Sequence, residues 1–214
     1  HKAVNNMLEA IIENMDEENI NELVCKVHNN SDDPLYDNER IVLKKRPEEA
    51  PIQDVAVTGG TAWTFSNEHF KDQLDYLFID EAGQVSLANM IGMSASCKNI
   101  VLIGDQMQLG NPSQGIHPEN SGDSCLEYLL QDLPTIPVDK GVLLPDSYRM
   151  HSHICNFISS RIYENRITAI ESNDKRIFKH VSNSSIEKSF GIEYVPVEHS
   201  GSEQASIEEV IKIK

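Results

Sequence analysis

Positive charge is scarce in this chain. Its 214 residues hold 18 Lys and Arg against 34 Asp and Glu, for a net charge of −16. Nucleic-acid affinity leans on cations that neutralise phosphates, so composition alone points away from a nucleic-acid binder, and any such claim has to come from motifs. The acids at 13–22, 32–39, 48–49 and in the tail read as solvated faces. No apolar run approaches the ~20 residues a membrane helix needs, and no signal-peptide pattern opens the chain, so no membrane partner is expected. Cysteine is sparse too. Cys25, Cys97, Cys125 and Cys155 are scattered and no Cys-x-x-Cys occurs, which fits reduced thiols in a cytoplasmic protein and argues against a disulfide or zinc framework. Internal repeats and low-complexity tracts are missing as well.

What is present is patterned. Hydrophobic residues make up 39%, enough for a real core. Val4, Leu8, Ile11, Ile12 and Met15 recur at helical spacing and predict an amphipathic helix over 3–15. Strands are expected at 23–27, 54–58, 76–79 and 98–103, with a weaker candidate at 192–197. Helices are expected at 87–93, at 124–131, after an N-cap at Ser152, and from about Ser206 to the last residue. Residues 29–38, 46–51 and 111–123 read as polar loops. Strands alternating with helices argue for an α/β fold on a mostly parallel sheet. Both ends fall inside apparent elements, so an internal piece of a longer protein is expected.

The run Tyr76-Leu77-Phe78-Ile79 reads as a central strand buried on both faces, and it ends abruptly in Asp80 and Glu81. Parallel α/β sheets place ligands at the carboxyl ends of their strands. Two acids there suit holding Mg²⁺ on a nucleotide phosphate and activating a water. A solvated turn or a helix cap is the plainer alternative. A second strand ends in Gly104-Asp105-Gln106-Met107-Gln108, and Gln108 can sense a phosphate or simply bond loop backbone. In Ser147-Tyr148-Arg149-Met150-His151, Arg149 can reach a phosphate or form a surface salt bridge, and Tyr148 can stack on a base or sit half-buried. His151, His153 and Cys155 alternate, a spacing that shares one face only in a strand. The helical spacing of Ile154, Phe157, Ile158 and Ile162 therefore argues against a metal site.

Together these elements resemble superfamily 1B helicases. Phe78 to Gln84 resembles motif II, Val101 to Leu109 motif III, and Ser147 to His151 motif IV. The likeness is strongest to bacterial proteins that fuse a RecB-type nuclease to such a helicase, through Gly59-Gly60-Thr61-Ala62-Trp63, Asp80 to Asn89, and the loop Gln114 to Pro118. His1 to Asn6 resembles motif Ia. The resemblance implies a RecA-like P-loop NTPase fold, with an incomplete first lobe over 1–142 and the start of a second over 143–214. It implies ATP and Mg²⁺, with Asp80 on the metal, Glu81 polarising the attacking water, Gln108 sensing the γ-phosphate, Arg149 as an arginine finger and Tyr148 on the adenine. Lys2 and Thr61 would lie near a single strand on the opposite face from ATP; the nuclease fusion would make that strand DNA, and RNA stays open.

The departures are as informative. No Gly-x-x-x-x-Gly-Lys-Ser/Thr occurs, so the triphosphate lacks its backbone cradle, its lysine and the Ser/Thr ligand to Mg²⁺. Motifs V and VI are missing too. The expectation is an ATPase parent and a piece that is inert alone. Its rivals are a non-helicase ATPase on the same fold and a degenerate lobe that binds nucleic acid or a partner.

Overall fold

The computed structural model describes residues 2–15, 23–28, 38–110, 115, 117–119, 121–179, 188–201 and 205–213. The packing divides into two units, 1–131 and 132–214.

In the first unit, β1 (Val24–Val27) is flanked by β2 (Ile41–Lys44) and β3 (Val57–Gly59), all parallel, with Val24 level with Ile41 and Val57. Alternation splits the small core strand β1 between two layers. Val24 packs with Leu8 of α1 (Lys2–Glu13), the amphipathic helix the spacing predicts, whose Val4, Ile11 and Ile12 join the same cluster. Lys26, 1% exposed, donates to the Asn5 side chain of that helix. Cys25 and Val27 instead join the main core with Phe65, Phe70, Leu77, Ile79, Met93, Cys125 and Leu126. Phe65, which ends α2 (Ala62–Phe65), and Phe70 meet edge to face, with ring centroids 5.4 Å apart, the arrangement their quadrupoles favour. The strand β2 had no expectation attached to it. It is a four-residue run with no alternation, bordered by polar segments.

The pair β4 (Leu74–Ile79) and β5 (Cys97–Leu102) is parallel, with Tyr76 level with Asn99 and Ile79 with Leu102. Here the sequence reading needs correcting. Leu77 and Ile79 are 4% and 5% exposed, but Tyr76 and Phe78 are 59% and 57% exposed. Only one face of β4 is covered by the described residues, and a short apolar run cannot tell one-sided from two-sided burial. The two-sided strand is β1, despite its lysine. Between β4 and β5 runs α3 (Leu87–Ser94), capped by Ser86, whose hydroxyl accepts from the Asn89 amide. After β5 comes α4 (Cys125–Leu130), capped in the same way by Ser124.

The second unit holds β6 (Asp146–Ser147) and β7 (Thr168–Ala169), a short parallel pair joined through α5 (Ser152–Ile162). Residues 132–142 belong to this unit. The Thr135 hydroxyl donates to Glu164 at 2.6 Å, and Arg166 donates to Thr135 and to the Ile136 carbonyl. The cap of α5 is His151, not Ser152. Its Nδ1 accepts from the His153 amide, and Ser152 is the first helical residue. Residues 192–197 form no strand, because no neighbouring strand pairs with them among the described residues. The last helix, α6, spans Ile207–Ile213. The expected loop at 29–38 falls outside the described residues except for Asn38, and that at 111–123 is described at 115, 117–119 and 121–123. Among the described residues no helix is long and apolar enough to cross a membrane.

Candidate functional site at two strand tips

The carboxyl ends of β4 and β5 are bonded to each other beyond the last paired residues. Ile103 donates its amide to the Ile79 carbonyl, and Ala82 donates to the Ile103 carbonyl, both at 2.9 Å. The two turns meet through glycine. A Cβ on Gly104 would stand 2.7 Å from the Ala82 nitrogen, and one on Gly83 would stand 2.4 Å from the Asp105 carbonyl oxygen. Glycine is required where backbones come this close.

Between these contacts the chain turns at Asp80 and Glu81. Asp80 is exposed, and its carboxylate has no hydrogen bond or ion pair among the described residues. Glu81 sits in the left-handed region at φ 52°, ψ 40°. That conformation costs a non-glycine residue roughly 1–3 kcal/mol and persists only where the surroundings enforce it, which they do at functional turns. Here the enforcement comes from the Ala82 bond and from the Gln84 amide, which donates to the Glu81 carbonyl at 2.7 Å. The Gln84 side chain reaches the Glu81 carboxylate at 3.4 Å.

The loop after β5 is organised by Asp105. One carboxylate oxygen accepts the Met107 amide at 2.9 Å, and the other accepts the Gln108 side-chain amide at 3.1 Å. Gln108 is therefore held by a side chain of its own loop, close to the plainer of its two expected roles. Gln84, Met107, Gln108 and Leu109 line one open hollow of ≈ 460 Å³. Behind the turn, the Cys125 thiol donates to the Ala82 carbonyl at 3.1 Å, and burial pushes that thiol above its ordinary value. Sequence reasoning assigned no role to Asp105, Gly83 or Cys125. Asp two residues before a loop amide is a turn-forming signal that could have marked Asp105.

The structure thus brings together Asp80, Glu81 and the Gln108 loop. Thr61 lies elsewhere in the same unit, two residues past β3 as the N-cap of the helix Ala62–Phe65, where its amide donates to the Thr64 hydroxyl at 3.3 Å. Trp63, two residues on, is 85% exposed. Lys2 opens α1, and its side chain lies outside the described residues, as do His1 and Gln114.

Tyr148 and Arg149 belong to the second unit, in the turn between β6 and α5. Tyr148 is 69% exposed, so the half-buried alternative does not hold. The Arg149 guanidinium is exposed and has no ion pair among the described residues, so the salt-bridge alternative finds no partner. The turn is braced by the segment Glu171–Lys175 and by Arg176. The Asp174 carboxylate accepts the Ser152 amide at 2.8 Å, and this bond holds its pKa below the usual carboxylate range, with His151 and His153 adding to the effect.

The donor chemistry at Asp80 suits Mg²⁺, which takes hard oxygen ligands and is commonly held by one or two carboxylates plus substrate phosphates. Among the described residues no group of three or more His, Cys, Asp or Glu is placed to hold a metal by itself.

Residues 38–111 match a family described as AAA domain, a span from just before β2 to just past Gln108. Over 120 residues the chain is 32% identical to the "Probable helicase MAGATAMA 3" of Arabidopsis thaliana, a stretch covering 55% of this chain and 14% of that protein. The chain thus spans about a seventh of the length of that curated relative. The chain is similar to an AAA domain over residues 38–111 and to a protein described as a probable helicase, and its parallel α/β architecture is the RecA-like fold of the P-loop NTPases.

Proposed function

We propose that these residues are part of an ATP-dependent helicase or translocase of superfamily 1B that acts on single-stranded nucleic acid. The observation that carries this reading is the joined pair of strand tips, which present Asp80 and a strained Glu81 beside the loop of Gln108. Glu81 takes a proton from the attacking water as the γ-phosphorus–oxygen bond to ADP breaks. Asp80 would hold Mg²⁺, which would supply charge neutralisation on the phosphate oxygens. Gln108 leaves Asp105 to contact the γ-phosphate and so reports its presence to the loop. Arg149 spreads positive charge over the transferring phosphoryl group, and Tyr148 stacks on the adenine. Lys2 and Thr61 contact the single strand. The reading requires a phosphate loop from outside these 214 residues, and without it the chain alone is expected to be inert. DNA is the favoured strand and a RecB-type nuclease the favoured companion domain, because the motifs at 59–63 and 80–89 resemble those of such fusions.

The net charge of −16 favours a second reading, a lobe that binds a partner without turning over ATP. The test expresses the full reading frame that contains this chain and measures ATP hydrolysis with and without single-stranded DNA or RNA. Strand-stimulated hydrolysis is expected. Glu81→Gln should lower it about a hundredfold or more, and Arg149→Ala about a thousandfold. No hydrolysis from a frame that includes a phosphate loop would overturn the motor reading. Hydrolysis indifferent to either strand would leave a non-helicase ATPase.

A further inference from the structure

We propose that Asn173 and Arg176 are positioning residues for Arg149. Asn173 is the only polar residue of its segment that is fully buried among the described residues, at 1% exposure. Its side-chain amide has two hydrogens, and both are used. Nδ2 donates to the Ser147 carbonyl at 2.7 Å and to the Met150 carbonyl at 3.0 Å. Those two carbonyls bracket Tyr148 and Arg149. Arg176 completes the brace, since its guanidinium donates to the carbonyl of Arg149 itself at 2.6 Å. The Ile170 amide also donates to the Ser147 carbonyl, at 3.2 Å, so the bracing segment is itself tied to β6.

The consequence is a fixed base under a free arm. The backbone of Arg149 is held by side chains more than twenty residues downstream, while its guanidinium stays exposed and unpaired among the described residues. An arginine that must meet a transferring phosphoryl group gains from such a base. Geometry set before the reaction lowers the barrier, and a misplacement of about 1 Å can cost about a hundredfold. The two carbonyls call for a side chain with two donors. Asp has the shape of Asn but no donors, and would set a carboxylate against two carbonyl oxygens.

This inference rests on the reading of Arg149 given above, and the experiment separates the two. In the full reading frame, strand-stimulated ATP hydrolysis is measured for Asn173→Ala, Arg176→Ala, Arg176→Lys and Arg149→Ala, and for Asn173→Ala and Arg176→Ala combined with Arg149→Ala. Expected is a fall of about tenfold or more in kcat and kcat/KM together for Asn173→Ala, the pattern of a contact made only in the transition state. A smaller fall is expected for Arg176→Ala, with recovery in Arg176→Lys. Neither variant should lower the rate further once Arg149 is Ala, because residues that act through one group are not additive. Equal fold losses in both backgrounds would assign Asn173 and Arg176 to folding alone and overturn the proposal. So would a normal rate for both single variants beside an impaired Arg149→Ala. A silent Arg149→Ala would overturn the arginine reading and this proposal with it. Arg176 is exposed, so Arg176→Ala decides the matter if Asn173→Ala fails to fold.

Discussion

The Cα of Gly83 faces the carbonyl oxygen of Asp105 so closely that an added Cβ would stand 2.4 Å from it. This contact joins the turn that carries Asp80 and Glu81 to the loop that carries Gln108. The obstacle is backbone on a strand tip already tied by two hydrogen bonds, so it cannot swing aside as a side chain end could. Gly83→Ala is expected to destabilise the protein by about 1–3 kcal/mol, the usual cost of forcing extra atoms into a packed site. Gly110, where an added Cβ meets nothing within 4 Å among the described residues, is the control. Denaturant midpoints for the two variants check this. An unshifted midpoint in Gly83→Ala would show that the tips are not in contact.

The thiols give a chemical map of the same core. Burial pushes Cys25 up to about 11 and raises Cys125 and Cys155, while Cys97 is only half-buried. Iodoacetamide at mildly alkaline pH should therefore modify Cys97 first, with the other three protected until the protein unfolds. Mass spectrometry of the folded and denatured protein decides it. Early labelling of Cys125 would mean that the site beneath Ala82 opens readily.

Cys25 also predicts a pH dependence. Its thiol binds a proton more tightly when folded than the ordinary value of about 8.5 in an unfolded chain. The stabilisation is fully present below about pH 8.5 and is lost as pH rises through the folded value of about 11. Cys25→Ala should flatten that part of the stability profile. An unchanged alkaline slope would count against a buried neutral thiol at this position.

Asp174 acts at the other end of the scale. Its pKa is lowered mainly by the Ser152 amide, so its contribution is present above the ordinary carboxylate value of about 3.9 and is lost as pH falls below it. Hydrogen exchange at the Ser152 amide should accelerate in that acid range, and Asp174→Asn should remove the step. Exchange that is flat down to pH 2 would show that the cap of α5 does not depend on this carboxylate.

Periodicity and strand-end chemistry made much of the fold legible. The spacing of Val4, Leu8 and Ile11 marked α1, and the polar tips after Ile79 and Ile103 marked two turns that the structure ties together. What the sequence hid were relationships between distant segments. Asn173 looks like any loop asparagine until Ser147 and Met150 are seen at its amide. Thr135 gives no sign that its hydroxyl meets Glu164, a pairing across 29 residues. His151 displaced Ser152 as the cap because its ring nitrogen reaches the His153 amide, a use of histidine that propensity does not anticipate.

The burial of β4 makes the last prediction. Leu77 faces the core with Ile79, while Tyr76 and Phe78 lie on the opposite face with ring centroids 6.3 Å apart. A side chain that keeps its water contact in the folded state loses little on replacement. Tyr76→Thr and Phe78→Thr, which retain a strand-forming residue, should each change the stability of the 214-residue chain by about 0.5 kcal/mol or less. Leu77→Ala removes buried methyl groups from the cluster around Phe65 and Met93 and should cost about 2–5 kcal/mol. Urea midpoints for the three variants check the contrast. If Tyr76→Thr and Phe78→Thr cost as much as Leu77→Ala, both faces of β4 are covered in solution, and the two-sided strand first read from its apolar run would be restored.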